Sequence, residues 1–279
     1  MGRSQLPPAI TGCVLSNELL DAMPVHRFVI EGGHVRELYV TLKNGNFAEE
    51  AGEPPTPDIE KRLGPLARSL PDGYRGEVNL GVSAWAEQVS RALARGFVLT
   101  IDYGHDRAAL YSPERRHGTL RTYYRHTLGH DPLRHIGEQD MTAHVDFTAV
   151  DEALAARGVA KAGHATQREF LLRLGLDSFI RRLRGTCRSQ AEADANRAGM
   201  IELVKPEGMG AFKVAVHRKG IGPVRIAGLD RPAGAASGDG LPMPLLDSSG
   251  SYVRLLEGAY HHAAQPALPT WDEIFSEEP

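Results

Sequence analysis

Asn17, Glu18 and Asp21 crowd one short stretch directly after the apolar run Gly12-Cys13-Val14-Leu15. Read as a parallel strand, that run carries an amide and two carboxylates at its carboxyl tip, where open α/β sheets bind ligands. Asn17 donates and accepts, whereas the Glu18 carboxylate only accepts. With Asp21 they suit a cationic or amino-bearing substrate held in line for attack. On spacing alone, Asn17 and Asp21 serve equally well as caps of the following turn. A second apolar run, Phe97 to Ile101, ends in Asp102-Tyr103-Gly104-His105. Neighbouring parallel strands end at one edge, so Asp102 is expected beside Glu18. His105 is a candidate base near neutral pH. Taken alone, Asp102 fits a tight turn in which it accepts from backbone amides. The third cluster runs from Asp140 to Phe147 and includes His144 and Asp146. Their alternating spacing puts both on one face without a defined third ligand, so no metal is expected and a polar cleft lining is. Asp146 is also placed to cap the next helix.

The elements that position these residues follow from periodicity. His26 to Ile30 and His34 to Leu42 flank Glu31-Gly32-Gly33, the pattern of a β-hairpin, and Lys43-Asn44-Gly45-Asn46 signals a second turn. Ala51 to Pro57 is a proline-rich connection. Ile59, Leu63 and Leu66 predict a short helix; Trp85, Val89 and Leu93 predict another, with Gly96 as its stop. A helix leading into the Phe97 strand implies crossover connections and a mostly parallel sheet. From Asp106 to Gln139 the chain is irregular, and its basic residues (Arg115, Arg116, Arg121, Arg125, Arg134, with His126, His130 and His135) fit an anion-binding or nucleic-acid-contacting loop or a solvated lid; the slightly negative net charge favours the lid. A helix over Asp146 to Ala156 stops at Gly158. Thr166 to Glu169 matches a capping box opening a helix with Phe170, Leu171 and Leu174 on one face. Asp177 caps a further helix, Cys187 to Val204 forms a longer one, and Phe212 to His217 is a late strand. Beyond Gly220 the Gly, Pro, Ala and Ser content predicts a loosely packed extension, with Trp271, Ile274 and Phe275 as a docking motif.

Composition narrows the class. The 279 residues carry a net charge of −3 and 24% charged residues, so no nucleic acid or anionic membrane is expected as a partner. The two cysteines make neither a disulfide framework nor a zinc motif, and Cys13 reads as a small buried hydrophobe. The first ten residues lack the apolar core of a signal peptide, and no apolar run is long enough to span a bilayer. A cytoplasmic location is the expectation.

Ser16-Asn17-Glu18-Leu19-Leu20-Asp21-Ala22-Met23-Pro24-Val25 resembles the signature of the MidA-type methyltransferases. This S-adenosylmethionine-dependent family includes the mitochondrial arginine methyltransferase that assists respiratory complex I assembly. Gly137-Glu138-Gln139-Asp140-Met141-Thr142-Ala143-His144-Val145-Asp146-Phe147 is similar to a second family string, and Glu77-Val78-Asn79, Gly118-Thr119-Leu120 and Phe212-Lys213-Val214 fall in order around it. The resemblance covers about residues 10 to 218. It implies an α/β, Rossmann-like class I methyltransferase fold in residues 1–219, with a hairpin insertion about 26–46 and an irregular extension at 220–279. It implies S-adenosylmethionine as cofactor and an arginine-bearing protein as substrate. Substrate orientation then falls to Glu18, supported by Asn17 and Asp21, with Asp102, Tyr103, His144 and Asp146 as further cleft residues. No cofactor-binding residue is assigned, because the family's Gly-rich loop has no counterpart here. The chain therefore resembles the C-terminal two-thirds of the family, and binding of the cofactor by this chain is in doubt on that account. Two expectations follow: a homodimer or a partner chain that completes the sheet, and, as the rival to an enzyme, a non-catalytic assembly module that lost the cofactor half of the site.

Overall fold

The computed structural model describes residues 6–125, 127–187, 190–230, 232 and 241–245. The chain divides into two compact units, residues 1–164 with 213–223 and residues 165–212 with 224–279. Trp271, Ile274, Phe275, His126 and the paired His261-His262 lie outside the described residues, as does most of the Gly/Pro-rich extension.

The first unit opens with β1 (Ile10–Asn17), β2 (His26–Glu31), β3 (His34–Lys43) and β4 (Asn46–Gly52). Both hairpin turns form where the sequence signals them. Gly32 and Gly33 take φ of 58° and 78°, and Asn44 and Gly45 take 53° and 78°. Paired left-handed residues match the natural twist of the flanking strands. Next come α1 (Asp58–Leu63), β5 (Arg75–Val78), α2 (Val82–Ala92) and β6 (Leu93–Asp102). β4, β3, β2 and β5 make an antiparallel sheet in that order. Its core joins Phe28 and Ile30 to Ile59, Leu63, Tyr74 and Tyr111, with Phe28 and Tyr74 stacked at 6.1 Å.

The chain then passes through β7 (Gly104–His105), α3 (Arg107–Leu110), β8 (Arg121–Tyr124), β9 (Thr127–Gly129), β10 (Asp140–Thr142), β11 (Val145–Asp146), α4 (Phe147–Ala155) and β12 (Ala160–Thr166). The segment expected to be an irregular lid is thus partly ordered, with β8 between β10 and β9 in a small antiparallel sheet. The second unit contributes α5 (Gln167–Arg173), α6 (Leu176–Thr186) and α7 (Gln190–Glu202) before β13 (Lys213–Lys219) returns to the first. The capping box is present at α5: Thr166 accepts from the Glu169 amide, and Glu169 accepts from the Thr166 amide at 2.8 Å. Leu176, Ile180 and Leu183 of α6 pack with Met200 and Val204 around α7, which gives this unit its own core.

The central sheet has the order β1-β6-β13-β12, a Rossmann-like mixed α/β arrangement. β1 runs parallel to β6, as expected, while β13 runs antiparallel to it, so the sheet is mixed. α2 and α4 cover one face: Trp85, Val89, Val150 and Leu154 bury against Val98 and Ala215 of the sheet. Each such side chain contributes about 1.5–3 kcal/mol of hydrophobic stabilisation, and this face fixes the height of the strand tips.

Two local expectations are corrected. Cys13 is exposed rather than buried, because β1 is the edge strand and Cys13 and Leu15 point away from the face covered by α2 and α4; Leu15 is 61% exposed. Gly96 is not a helix stop, since α2 ends at Ala92 and Gly96 lies inside β6 opposite Gly12 of β1. A Cβ there would stand 1.8 Å from the Gly12 carbonyl oxygen, so the position demands glycine for a close approach of two strands.

Candidate functional site

Register decides what meets at the tip of the sheet. Asn17 pairs with Ile101, and the Glu18 amide donates to the Ile101 carbonyl at 3.0 Å. Glu18 therefore stands beside Asp102 at one strand edge, as the sequence predicts. Glu18 is exposed and takes φ of 47°, a left-handed conformation uncommon for glutamate and often found where a side chain must be aimed. Asn17 Nδ2 donates to Glu18 Oε1 at 3.3 Å.

Asp102 is fully buried and acts on the backbone. Its Oδ2 accepts from the amides of Leu20 at 3.0 Å and Asp21 at 3.4 Å, and its Oδ1 accepts from the Tyr103 amide at 2.9 Å. The carboxylate thus ties the loop after β1 to the end of β6, the turn-anchoring role that Asp102 alone suggested. Burial, followed by the neighbouring Asp21 carboxylate, pushes its pKa up to about 7 against these three amides. Asp21 is also buried; its Oδ2 accepts from the Tyr103 hydroxyl, and its Oδ1 has no hydrogen-bond partner. Burial and the bond to Asp21 both push the Tyr103 hydroxyl well above its ordinary pKa. An orphaned buried carboxylate oxygen beside the exposed Glu18 carboxylate makes this tip acceptor-rich and anionic, which suits a cationic group.

His144 joins from the third cluster. β7 and β11 pair in parallel, with Val145 opposite Gly104, and this sets the His144 ring 5.4 Å from both Tyr103 and His105. Burial first, then the His105 ring and the Arg121 and Arg115 guanidiniums, lower the His144 pKa to about 4. His144 is accordingly neutral near pH 7, and its buried Nδ1 has no partner. His105 Nε2 lies 3.2 Å from Arg115, which donates to it. That lone pair is engaged, so His105 does not offer a free base. Burial and the adjacent Arg115 also lower its pKa.

Asp146 is used by the scaffold. Its Oδ1 caps α4 by accepting from the Ala149 amide at 3.0 Å, and its Oδ2 pairs with Arg107 Nε at 3.0 Å. The structure thus gathers Asn17, Glu18, Asp21, Asp102, Tyr103 and His144 at one end of the sheet, while Asp146 both caps α4 and lines a narrow crevice beside His144.

Glu77 and Thr119 were not singled out as site residues. Glu77 is buried, and its Oε2 accepts from the Thr119 amide at 2.7 Å and hydroxyl at 3.2 Å. The Thr119 hydroxyl oxygen accepts from the His144 amide at 3.1 Å. This chain of bonds fixes the His144 backbone from behind. Burial raises the Glu77 pKa, opposed by Thr119 and Arg27. A crevice of about 10 Å³, room for one water, is lined by Glu77, Asn79, His144 and Leu20. The available signal was Gly118 next to Thr119: its φ is 72°, and a Cβ would strike the Glu77 carboxylate at 2.4 Å.

Comparison with known proteins identifies the family and the fold. A sequence family described as "Putative S-adenosyl-L-methionine-dependent methyltransferase" matches residues 3–165. The mitochondrial protein arginine methyltransferase NDUFAF7 homolog of Caenorhabditis elegans is 32% identical over 187 residues, covering 64% of this chain and 41% of the relative. Its Drosophila melanogaster counterpart is 30% identical over 218 residues, covering 75% of this chain and 47% of the relative. A crystal structure from Burkholderia thailandensis bound to S-adenosyl-homocysteine superposes with a TM-score of 0.74 at 31% identity, covering 83% of this chain and 59% of that one. The chain thus spans less than half the length of the two curated relatives. Both relatives are mitochondrial proteins, which overturns the expectation of a cytoplasmic location. Among the described residues no helix is long and apolar enough to cross a membrane. A matched segment of 163 residues, a shared Rossmann-like fold and the conjunction of both signature strings at one sheet edge place this chain in the S-adenosyl-L-methionine-dependent methyltransferase family.

Proposed function

We propose that this chain binds S-adenosylmethionine at the strand tips and takes part in methylation of arginine on a protein partner. The observation that carries this reading is the convergence of Asn17, Glu18 and Asp21 with Asp102 at the parallel β1/β6 edge. Two kinds of likeness support it: the arginine methyltransferases of worm and fly, and a structural relative bound to S-adenosyl-homocysteine. The exposed carboxylate of Glu18 fits a cationic group, a sulfonium or a guanidinium.

The cofactor, when bound, supplies an electrophilic methyl group. Glu18 receives the guanidinium through forked, charge-assisted hydrogen bonds and turns one nitrogen toward that methyl. Asn17 holds the Glu18 carboxylate in place. Asp21, buried and held by Tyr103, lies behind this surface and shapes it without touching the guanidinium. As nitrogen gains the methyl it gives up one proton, for which the Glu18 carboxylate is the nearest exposed acceptor. Positioning and electrostatics supply most of the acceleration in such a transfer.

Calorimetry with S-adenosyl-homocysteine on the full chain, followed by a methyl-transfer assay on an arginine-bearing protein, tests the reading. Glu18→Ala is expected to abolish transfer while leaving cofactor affinity nearly intact; wild-type turnover in that variant refutes the role. Absence of cofactor binding by the folded chain favours the rival, a non-catalytic assembly module. The outer edge of β1 carries no strand among the described residues, and Cys13 and Leu15 beside it are exposed. We infer that a partner chain or a second copy covers this edge. Light scattering that finds only monomer at high concentration counts against self-association.

A further inference from the structure

Among the described residues, one group away from the strand tips brings three metal-ligating side chains together. Asp151 in the middle of α4, His164 on β12 and His217 on β13 each offer one ligand atom, and these atoms lie within 4.8 Å of one another. Asp151 Oδ1 is 3.0 Å from His164 Nε2 and 2.8 Å from His217 Nε2. Lys161 Nζ stands 2.8 Å from the other oxygen, Oδ2. The His217 side chain is fully buried, those of His164 and Asp151 are 15% and 21% exposed, and that of Lys161 is 49% exposed.

We propose that Asp151, His164 and His217 form a binding site for a divalent transition metal of the zinc type, with the Lys161 ammonium occupying the cation position until the metal displaces it. Two imidazoles and one carboxylate are the donor set that such ions favour over calcium or magnesium. The three ligands come from a helix and two strands and lie in one compact unit, so little ordering is needed on binding. A tetrahedral ion with bonds of about 2.0–2.2 Å sets its ligand atoms roughly 3.3 Å apart. The two separations from Asp151, 3.0 and 2.8 Å, widen by a few tenths of an ångström to reach that, and the two histidine nitrogens already lie within 4.8 Å of each other. Without metal, both Nε2 atoms carry the protons they donate to Asp151. Binding requires each Nε2 proton to leave, to Nδ1 or to solvent, which frees the Nε2 lone pairs. Solvent takes the fourth position through the half-exposed side where Lys161 now lies.

One feature sets the expected strength. His217 Nδ1 is buried without a hydrogen-bond partner. Metal-bound histidine ordinarily donates its second N–H, and losing that support costs about 10–100-fold in affinity. The site is therefore exchangeable, in contrast to the permanently filled centre of a zinc finger. It is also structural. Lys213 pairs with Asp102 at the strand tips, and His217 lies four residues further along β13, about 13 Å away. A metal here ties α4 to β12 and β13 and does not meet the substrate.

The test is titration of the full chain, first with Co²⁺, followed by visible absorption, then with Zn²⁺ by calorimetry. The expected result is one equivalent bound with the strong visible bands of four-coordinate Co²⁺. His164→Gln, at a side chain partly open to solvent, is expected to weaken binding at least tenfold with unchanged circular dichroism. Lys161→Ala is expected to bind as tightly as wild type or more so. The chain has 12 histidines, so the variant comparison is decisive. Failure of the folded wild type to bind stoichiometrically overturns the proposal, as does equal affinity in His164→Gln. Cofactor affinity, measured on the same variants, stays unchanged.

Discussion

Gly96→Ala is the sharpest test of how the site is assembled. The added Cβ would stand 1.8 Å from the Gly12 carbonyl oxygen, where contact begins at about 3.4 Å, so β1 and β6 must part by roughly 1.5 Å. Ladder hydrogen bonds near 2.9 Å do not survive that displacement. Losing two of them costs about 1–3 kcal/mol. Gly96 also takes φ of 141°, which an L-residue adopts at a further cost of about 1–2 kcal/mol. The sum is about 2–5 kcal/mol, a large part of the stability of an ordinary domain. Urea denaturation of the full chain measures it. Gly185→Ala in α6, where a Cβ meets nothing within 4 Å, is the control and is expected to be neutral or to gain about 0.5–1 kcal/mol. A Gly96→Ala protein within about 0.5 kcal/mol of wild type would show that β1 does not lie against β6 in this register. The juxtaposition of Glu18 and Asp102 would fall with it.

Three further outcomes follow from single residues. Glu18→Gly relieves a left-handed backbone and is expected to stabilise the fold by about 0.5–1 kcal/mol in denaturation while abolishing transfer, so a net loss of stability contradicts the strain argument. His144 has a folded-state pKa lowered from 6.5 to about 4, so the unfolded chain binds the extra proton between these values and stability falls on acidification through that window. His144→Gln is expected to flatten this part of the stability profile by about 3 kcal/mol, and an unchanged slope would place the titrating group elsewhere. Asp146→Ala removes the α4 cap and the Arg107 pair, with an expected loss of about 1–2 kcal/mol and little effect on cofactor affinity in calorimetry; a large affinity loss would give Asp146 a part in cofactor binding beyond the cap.

Local patterns were legible in the sequence because short-range physics decides them. The Gly32-Gly33 and Asn44-Gly45 turns, the α5 capping box and the amphipathic α2 all form as their residues dictate. The meeting of Glu18 and Asp102 was legible too, since parallel strands share an edge. Cys13 was misread because an apolar strand looks the same at the edge of a sheet as in its middle. Gly96 was misread because a glycine after a helical pattern signals a stop as readily as a close strand approach. The Asp151, His164 and His217 group gave no signal at all. Its members are separated by 13 and 53 positions, and only the packing of α4 on β12 and β13 unites them.

The loop that follows β1 is moored on both sides. Asp102 holds the amides of Leu20 and Asp21, Asn79 donates to the Leu20 carbonyl at 3.1 Å, and the Asp21 carbonyl accepts from the Ala143 amide at 3.0 Å. On either side of these buried moorings Glu18, Leu19 and Ala22 face solvent. The entropy of shaping this surface has already been spent in folding, so a visiting segment meets a stiff anvil. Conformational adaptation then falls to the visitor, and a loose, unstructured stretch of chain is better suited to it than a residue embedded in a rigid helix.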